Sequence, residues 1–177
     1  MGSSYFSLFD FDKDGKQDIL YTAGDNADYS PILKPYHGIY IFSQKENFAF
    51  EQTEFLALPG AYKAIADDFD LDGDIDIAAI SFFPDYHASK VTDFALFIKS
   101  QNEFSMQGLD LHQNGRWITM DSGDPDQDGD SDLILGSLAF EVPQHPNLVN
   151  QWVKNGLPFL LLKNQTKKQT SHKIRTQ

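Results

Sequence analysis

A nine-residue acidic pattern, D-x-D-x-D-G-x-x-D, occurs three times in the chain and constrains the fold more than any other feature. The copies are Asp10-Phe11-Asp12-Lys13-Asp14-Gly15-Lys16-Gln17-Asp18, Asp68-Phe69-Asp70-Leu71-Asp72-Gly73-Asp74-Ile75-Asp76 and Asp124-Pro125-Asp126-Gln127-Asp128-Gly129-Asp130-Ser131-Asp132. They start at residues 10, 68 and 124, so successive copies lie 58 and 56 residues apart. Recurrence at a near-constant interval marks an array of similar units, each carrying one acidic turn. Short apolar runs follow the turns: Ile19-Leu20-Tyr21-Thr22, Ile77-Ala78-Ala79-Ile80-Ser81-Phe82 and Leu133-Ile134-Leu135. Such partly β-branched runs read as buried strands, so the turns join strands.

Carboxylates at alternate positions of a tight turn converge on one point, which is the chemistry of a hard divalent cation. Calcium takes six to eight oxygens. In the second copy Asp68, Asp70, Asp72 and Asp76 would supply side-chain oxygens, with the backbone carbonyl of Asp74 between them. Gly73 sits where the chain must turn through a conformation costly for a residue with a Cβ. Without a metal the carboxylates would repel and raise one another's pKa values. A single copy could be a solvated acidic turn, since Asp and Gly favour turns. Three copies that keep every one of these Asp and Gly positions favour the cation. An EF-hand or dockerin loop begins the same way but needs a Glu at position twelve and flanking helices. Position twelve here is Tyr21, Ala79 or Leu135, and the flanks are strand-like.

The net charge of −12 follows largely from the turns, which hold 14 of the 26 acidic residues; three Ca²⁺ would bring it to −6. No basic patch tracks a phosphate backbone, which argues against nucleic acid. No apolar run approaches the ~18 residues of a membrane span. The absence of cysteine excludes disulfides and thiolate metal sites. Met1-Gly2-Ser3-Ser4-Tyr5-Phe6 carries no signal-peptide h-region, and Phe6 breaks the myristoylation pattern. A hydrophobic content of 41%, with 14% aromatic, suits a folded globular chain.

The apolar runs divide the chain into units at 5–56, 57–112 and 113–164, with a basic tail at 165–177 expected to be disordered. In the first unit strands are expected at Tyr5–Phe9, Ile19–Thr22, Ile39–Phe42 and Phe48–Thr53, with a long polar connection from Gly24 to Gly38. The second unit repeats this with Tyr62–Ala66, Ile77–Phe83, Phe94–Ile98 and Phe104–Met106. Tyr40 matches Leu96 and Phe48 matches Phe104 at an offset of 56. The third unit has Arg116–Met120, Leu133–Leu138 and Pro158–Leu162, a long connection from Ala139 to Gly156, and no evident fourth strand. The expected fold is all-β: about three four-stranded antiparallel β-propeller blades, the third incomplete, in a ring that does not close.

The acidic loop between the first two strands, followed by an aromatic-ended hairpin, resembles the FG-GAP and VCBS repeats of calcium-binding β-propellers such as the integrin α-chain head. The resemblance spans roughly residues 5–164. The Phe-Gly and Gly-Ala-Pro stretch is absent, with only Leu58-Pro59-Gly60-Ala61 near the unit junction, which favours the VCBS-like variety. The resemblance implies calcium ligands at Asp10, Asp12, Asp14 and Asp18, at Asp68, Asp70, Asp72 and Asp76, and at Asp124, Asp126, Asp128 and Asp132. Backbone oxygens of Lys16, Asp74 and Asp130 complete the set. Three blades imply either the C-terminal piece of a longer propeller or self-association that completes a ring.

The implied function is a secreted, periplasmic or cell-surface binding scaffold for protein or carbohydrate, with millimolar calcium filling even weak sites. In the family's geometry the connections 24–38, 84–93 and 139–156 emerge opposite the calcium loops and carry Tyr29, Tyr36, Tyr86 and Trp152. The alternative is a propeller enzyme acting on sugars as a lyase or dehydratase, with His37, His87, His112 or His145 as base and Asp85 near His87. No Ser/His/Asp or His-metal arrangement is legible for it. Asn164-Gln165-Thr166 is a glycosylation sequon, and Trp117 beside Arg116 reads as a buried aromatic between units.

Overall fold

Strand β1 (Tyr5–Phe9) leads into the first acidic turn and β2 (Asp18–Ala23) leaves it, followed by β3 (Gly38–Gln44) and β4 (Phe50–Ala57). The second unit places β5 (Ala61–Asp67), β6 (Asp76–Ser81), β7 (Phe94–Ser100) and β8 (Glu103–Leu109) in the same order. The third has β9 (Trp117–Gly123), β10 (Asp132–Ser137), helix α1 (Pro146–Asn155) and β11 (Phe159–Leu162). These elements come from a computed structural model that describes residues 2–24, 32–101, 103–142 and 145–166. Asp25, Asn26, Asp28, Tyr29 and Pro31 of the first long connection, Asn102, Pro143 and the basic tail from Lys167 lie outside the described residues.

The strands form three antiparallel meanders, β1-β2-β3-β4, β5-β6-β7-β8 and β9-β10-β11. Side chains alternate between the faces of each sheet, and the faces pack in succession. Leu20, Ile39, Ile41 and Leu56 of the first sheet meet Ala61, Ala64, Ile77, Ala79, Ala95 and Phe97 of the second. The opposite face of the second sheet sets Ala78, Ile80 and Phe94 against Trp117, Met120, Leu133 and Leu135 of the third. Phe11 and Phe69, the second residues of their acidic turns, close the upper edge of each seam. Sheet 2 is therefore covered on both faces, and all six residues of β6 are buried. Its alanines bring the neighbouring sheets close. Gly24 permits a closer approach still, since a Cβ there would stand 2.0 Å from the Ala61 carbonyl oxygen.

Three sequence expectations need correction. The fourth strand of the first sheet begins at Phe50 rather than Phe48, because Glu46–Phe48 is one 3₁₀ turn in which Asn47 and Phe48 are left-handed, with φ of 58° and 59°. Phe42, Phe97 and Leu162 lie opposite Ile19, Ile77 and Leu133. The third strands of the first two sheets are thus offset by 55 residues, and Tyr40 corresponds to Ala95 rather than Leu96. Phe104 corresponds to Phe50, since they lie opposite Lys99 and Gln44, which are themselves 55 residues apart. The connection from 139 to 156 contains α1, begun by Pro146 at its first turn and anchored by buried Trp152. The third sheet has three strands among the described residues.

Candidate metal centres

Each acidic turn is built by its own carboxylates. The first Asp accepts from the Gly amide at position six: Gly15 N to Asp10 Oδ2 at 3.0 Å, Gly73 N to Asp68 Oδ2 at 3.1 Å and Gly129 N to Asp124 Oδ2 at 2.9 Å. The Asp at position three accepts from the amide at position five, as in Asp72 N to Asp70 Oδ1 at 3.1 Å. The Asp at position five accepts from position seven, as in Asp74 N to Asp72 Oδ1 at 2.7 Å. These Asx turns curl the loop, and the glycines at position six take φ of 87°, 98° and 92°. Position four is also left-handed, at 60° for Lys13 and Leu71 and 62° for Gln127. Nothing in the sequence pattern signals that second departure, since no glycine marks it.

The ninth position has a different task. Asp18, Asp76 and Asp132 are buried, and each accepts an amide at 2.8 Å, from Gln44 and Lys99 of the third strands and from Asn164 just past β11. Their second oxygens reach back into the turn, with Phe11 N on Asp18 Oδ2 and Phe69 N on Asp76 Oδ2, both at 3.0 Å. Pro125 has no N–H, so the third turn lacks this bond. The last Asp of each turn thus staples the loop to the sheet whether or not it touches a cation.

Carboxylate oxygens converge in three groups: Asp10, Asp12 and Asp18; Asp68, Asp70 and Asp76; and Asp124, Asp126 and Asp128. Within each group the oxygens lie within 4.8 Å of one another. Asp14, Asp72 and Asp132 stay outside these groups, as do the position-seven residues Lys16, Asp74 and Asp130. Two observations bear on whether a cation fits. Asp10 Oδ1 and Asp68 Oδ1 are buried with no hydrogen-bond partner, as is Asp130 Oδ1. An unsatisfied buried carboxylate oxygen is costly, and a hard cation is the partner its chemistry suits. Burial, with like charge from Asp72 and Asp68 added, also holds Asp70 above the usual carboxylate range. Burial likewise pushes Asp76 up to about 6, with Asp70 adding to the effect. The all-oxygen donor set fits calcium or another hard divalent ion.

The turns differ in local cations. Lys16 donates to Asp14 Oδ2 at 3.1 Å, and with its own amide holds the Asp14 carboxyl below its ordinary value. Lys163 bonds Asp126 and lies 3.6 Å from Asp128. Lys13 of the first turn reaches the Gly73 carbonyl of the second. Asn164, the sequon residue, donates its side-chain amide to the Phe69 carbonyl at 2.7 Å and clamps sheet 3 to the second turn.

At the opposite end of the sheets, connections from the second and third units meet. Tyr86, His87, His112 and His145 cluster there, with ring centroids 5.3 Å apart for Tyr86–His145 and 5.5 Å for His87–His145. His112 pairs with Asp110 and its carbonyl accepts from Trp152 Nε1. Asp85 caps the His87 amide. His37 stands apart, buried, with Nδ1 accepting the Gly60 amide at 3.2 Å. Two residues here carry no signal in the sequence. Buried Asp93 receives the Leu111 amide at 2.7 Å while its Oδ2 has no partner, and burial pushes its pKa up to about 6. Arg116, also buried, stacks 3.7 Å from the Phe82 ring centroid and donates to the Phe82 and Glu141 carbonyls. Trp117 beside it is fully buried between sheets 2 and 3.

No protein-family model matches the chain, and no curated protein sequence matches it. No helix among the described residues is long and apolar enough to cross a membrane.

Proposed function

We propose that the chain is a calcium-stabilised repeat module of the β-propeller kind, similar to FG-GAP and VCBS repeats, acting outside the cytoplasm as a binding scaffold for protein or carbohydrate. The observation that carries the metal half is the trio of convergent carboxylate groups, two of which bury an orphaned oxygen at position one. Asp10, Asp12 and Asp18, Asp68, Asp70 and Asp76, and Asp124, Asp126 and Asp128 would hold one ion each. Asp14, Asp72 and Asp132, with the position-seven carbonyls, complete the expected shells. The ion would supply charge compensation and rigidity, since each group sits in the turn that joins two neighbouring strands. The blade reading is supported by the stacked meanders, whose first strands approach one another from sheet to sheet. The scaffold half is supported by the aromatic and histidine cluster on the end opposite the turns, where groups with an apolar body and a polar tip suit recognition.

Thermal melting in millimolar calcium against EGTA tests the metal. An ion at ~100 times its Kd adds about 2.7 kcal/mol per site. For a chain of this size that raises Tm by roughly 5–10 °C per filled site. Identical melting curves, with no heat on calorimetric titration of calcium, would remove the reading. Glycan-array or pull-down binding lost on a Tyr86→Ala, His145→Ala double variant, with Tm unchanged, is the expected outcome for the scaffold.

A further inference from the structure

We propose that two copies of this chain mate head to tail, the outer face of sheet 3 in each copy seating on the outer face of sheet 1 in the other. The chain already makes this contact twice within itself. Every sheet has a leading face, on which the residues following the acidic turn point outward: Ile19 and Tyr21, Ile77 and Ala79, Leu133 and Leu135. Ile77 and Ala79 are covered by sheet 1, and Leu133 and Leu135 by sheet 2. Every sheet also has a trailing face, represented by Leu20, Ala78 and Ile134. Leu20 is covered by sheet 2, and Ala78 by sheet 3. The leading face of sheet 1 and the trailing face of sheet 3 are the two left uncovered among the described residues.

Both are apolar and exposed. On the first, Phe6 and Leu8 are 66% and 59% exposed. They share their face with Ile19, Tyr21, Tyr40 and Phe55 through cross-strand pairing. On the second, Ile134, Phe159 and Leu161 are 43%, 60% and 49% exposed, and with Pro125 they line a recess of about 530 Å³. Apolar faces of this extent mark an interaction site.

The polar edge of the seam also has its counterparts. Lys99 and Asn164 hold the same place in their sheets, each donating its amide to the ninth-position Asp. Lys99 lies over the Phe11 ring at 4.3 Å, and the Asn164 carboxamide bonds the Phe69 carbonyl. Both therefore touch position two of the preceding turn. Gln44 holds that place in sheet 1, and position two of the third turn is Pro125. The Gln44 carboxamide of the second copy can donate to the Pro125 carbonyl as Asn164 does to Phe69.

A head-to-tail contact either closes or grows into a filament. Two copies bring six sheets together, within the four to eight at which stacked sheets of this kind close. The inference rests on the stacking of the sheets and not on the metal, so a dimer that binds no calcium would sink the calcium reading and leave this one intact.

Sedimentation of the full chain tests it through Leu8→Glu and Leu161→Glu, both at exposed positions, with circular dichroism melting confirming that each variant folds. Wild type is expected at twice the 20.0 kDa monomer mass, and each variant as a monomer. Their equimolar mixture is expected to recover a dimer through the one seam left intact, the trailing face of the Leu8→Glu copy on the leading face of the Leu161→Glu copy. A monomeric wild type, an open-ended filament, or a dimer that survives Leu161→Glu alone would each overturn the proposal.

Discussion

Gln127 sits at a left-handed φ of 62° with its residue exposed to solvent. A Cβ in that conformation costs about 1–2 kcal/mol, part of which a glycine gives back through its freer unfolded chain. Gln127→Gly is expected to raise stability by about 0.5–1 kcal/mol, read as a higher midpoint in urea at unchanged slope. Asp93 carries a cost of a different origin. Its folded pKa of about 6 lies above the group's ordinary value of 3.8, so the folded state binds the proton more tightly. Stability then falls as pH rises from about 4 to about 6, and the loss is complete above that window. Asp93→Asn keeps the acceptor for the Leu111 amide and removes the charge. It should flatten that pH slope and stabilise the protein at pH 7.5 by about 2 kcal/mol, measured by denaturant melts at pH 4.5, 6 and 7.5. Neither site was legible from the sequence. The pattern D-x-D-x-D-G marks its glycine and says nothing of position four, and Asp93 is buried by packing from the distant 110–112 segment.

At the scale of the turn, the structure separates two roles that one acidic pattern had merged. The aspartates at positions one and three of every turn belong to the convergent group, and their carboxylates carry no bond to the sheet among the described residues. The aspartate at position nine, even where Asp18 and Asp76 join the group, also binds an amide across the sheet. Asp76→Ala leaves the Lys99 and Phe69 amides unpaired and should cost about 3 kcal/mol in EGTA as well as in calcium. Asp68→Asn should cost little in EGTA and abolish most of the calcium-dependent gain from that turn. Parallel melts of the two variants, with and without calcium, check the division. The second turn should also bind more tightly than the third. Its group, like that of the first turn, includes a buried ninth-position Asp, while Lys163 already occupies Asp126 in the exposed third group. The strands beside the turns are legible because short apolar runs are framed by Asp and Gly. Helix α1 is not, since Pro-Asn-Leu-Val-Asn-Gln-Trp-Val is too polar to stand out from a connection, although Leu148 and Trp152 stand four apart behind a proline. The start of β4 is hidden because aromatic Phe48 looks strand-like where Asn47 already turns the chain.

Across the whole molecule, the repeat interval foretold three similar sheets, and the long-range staples between them lay beyond local pattern. The Asn164 clamp on Phe69 spans 95 residues, and Arg116 joins sheet 3 to the Phe82 carbonyl 34 residues away. Arg116→Met removes the donors to the Phe82 and Glu141 carbonyls while keeping much of the apolar stem. It is expected to lower stability by about 2–3 kcal/mol, with the change visible in Trp117 fluorescence at the same seam. Among the described residues, sheet 2 alone has both faces against protein. A region opens to solvent at a free energy set by what packs on it, so the amides of Ile77 to Ile80 should exchange with deuterium only through global unfolding. Those of β1 and β11, each on an outer sheet, should exchange through smaller openings. The middle of the chain is then the last part to let water in, and a protease would have to wait for both its neighbours to leave.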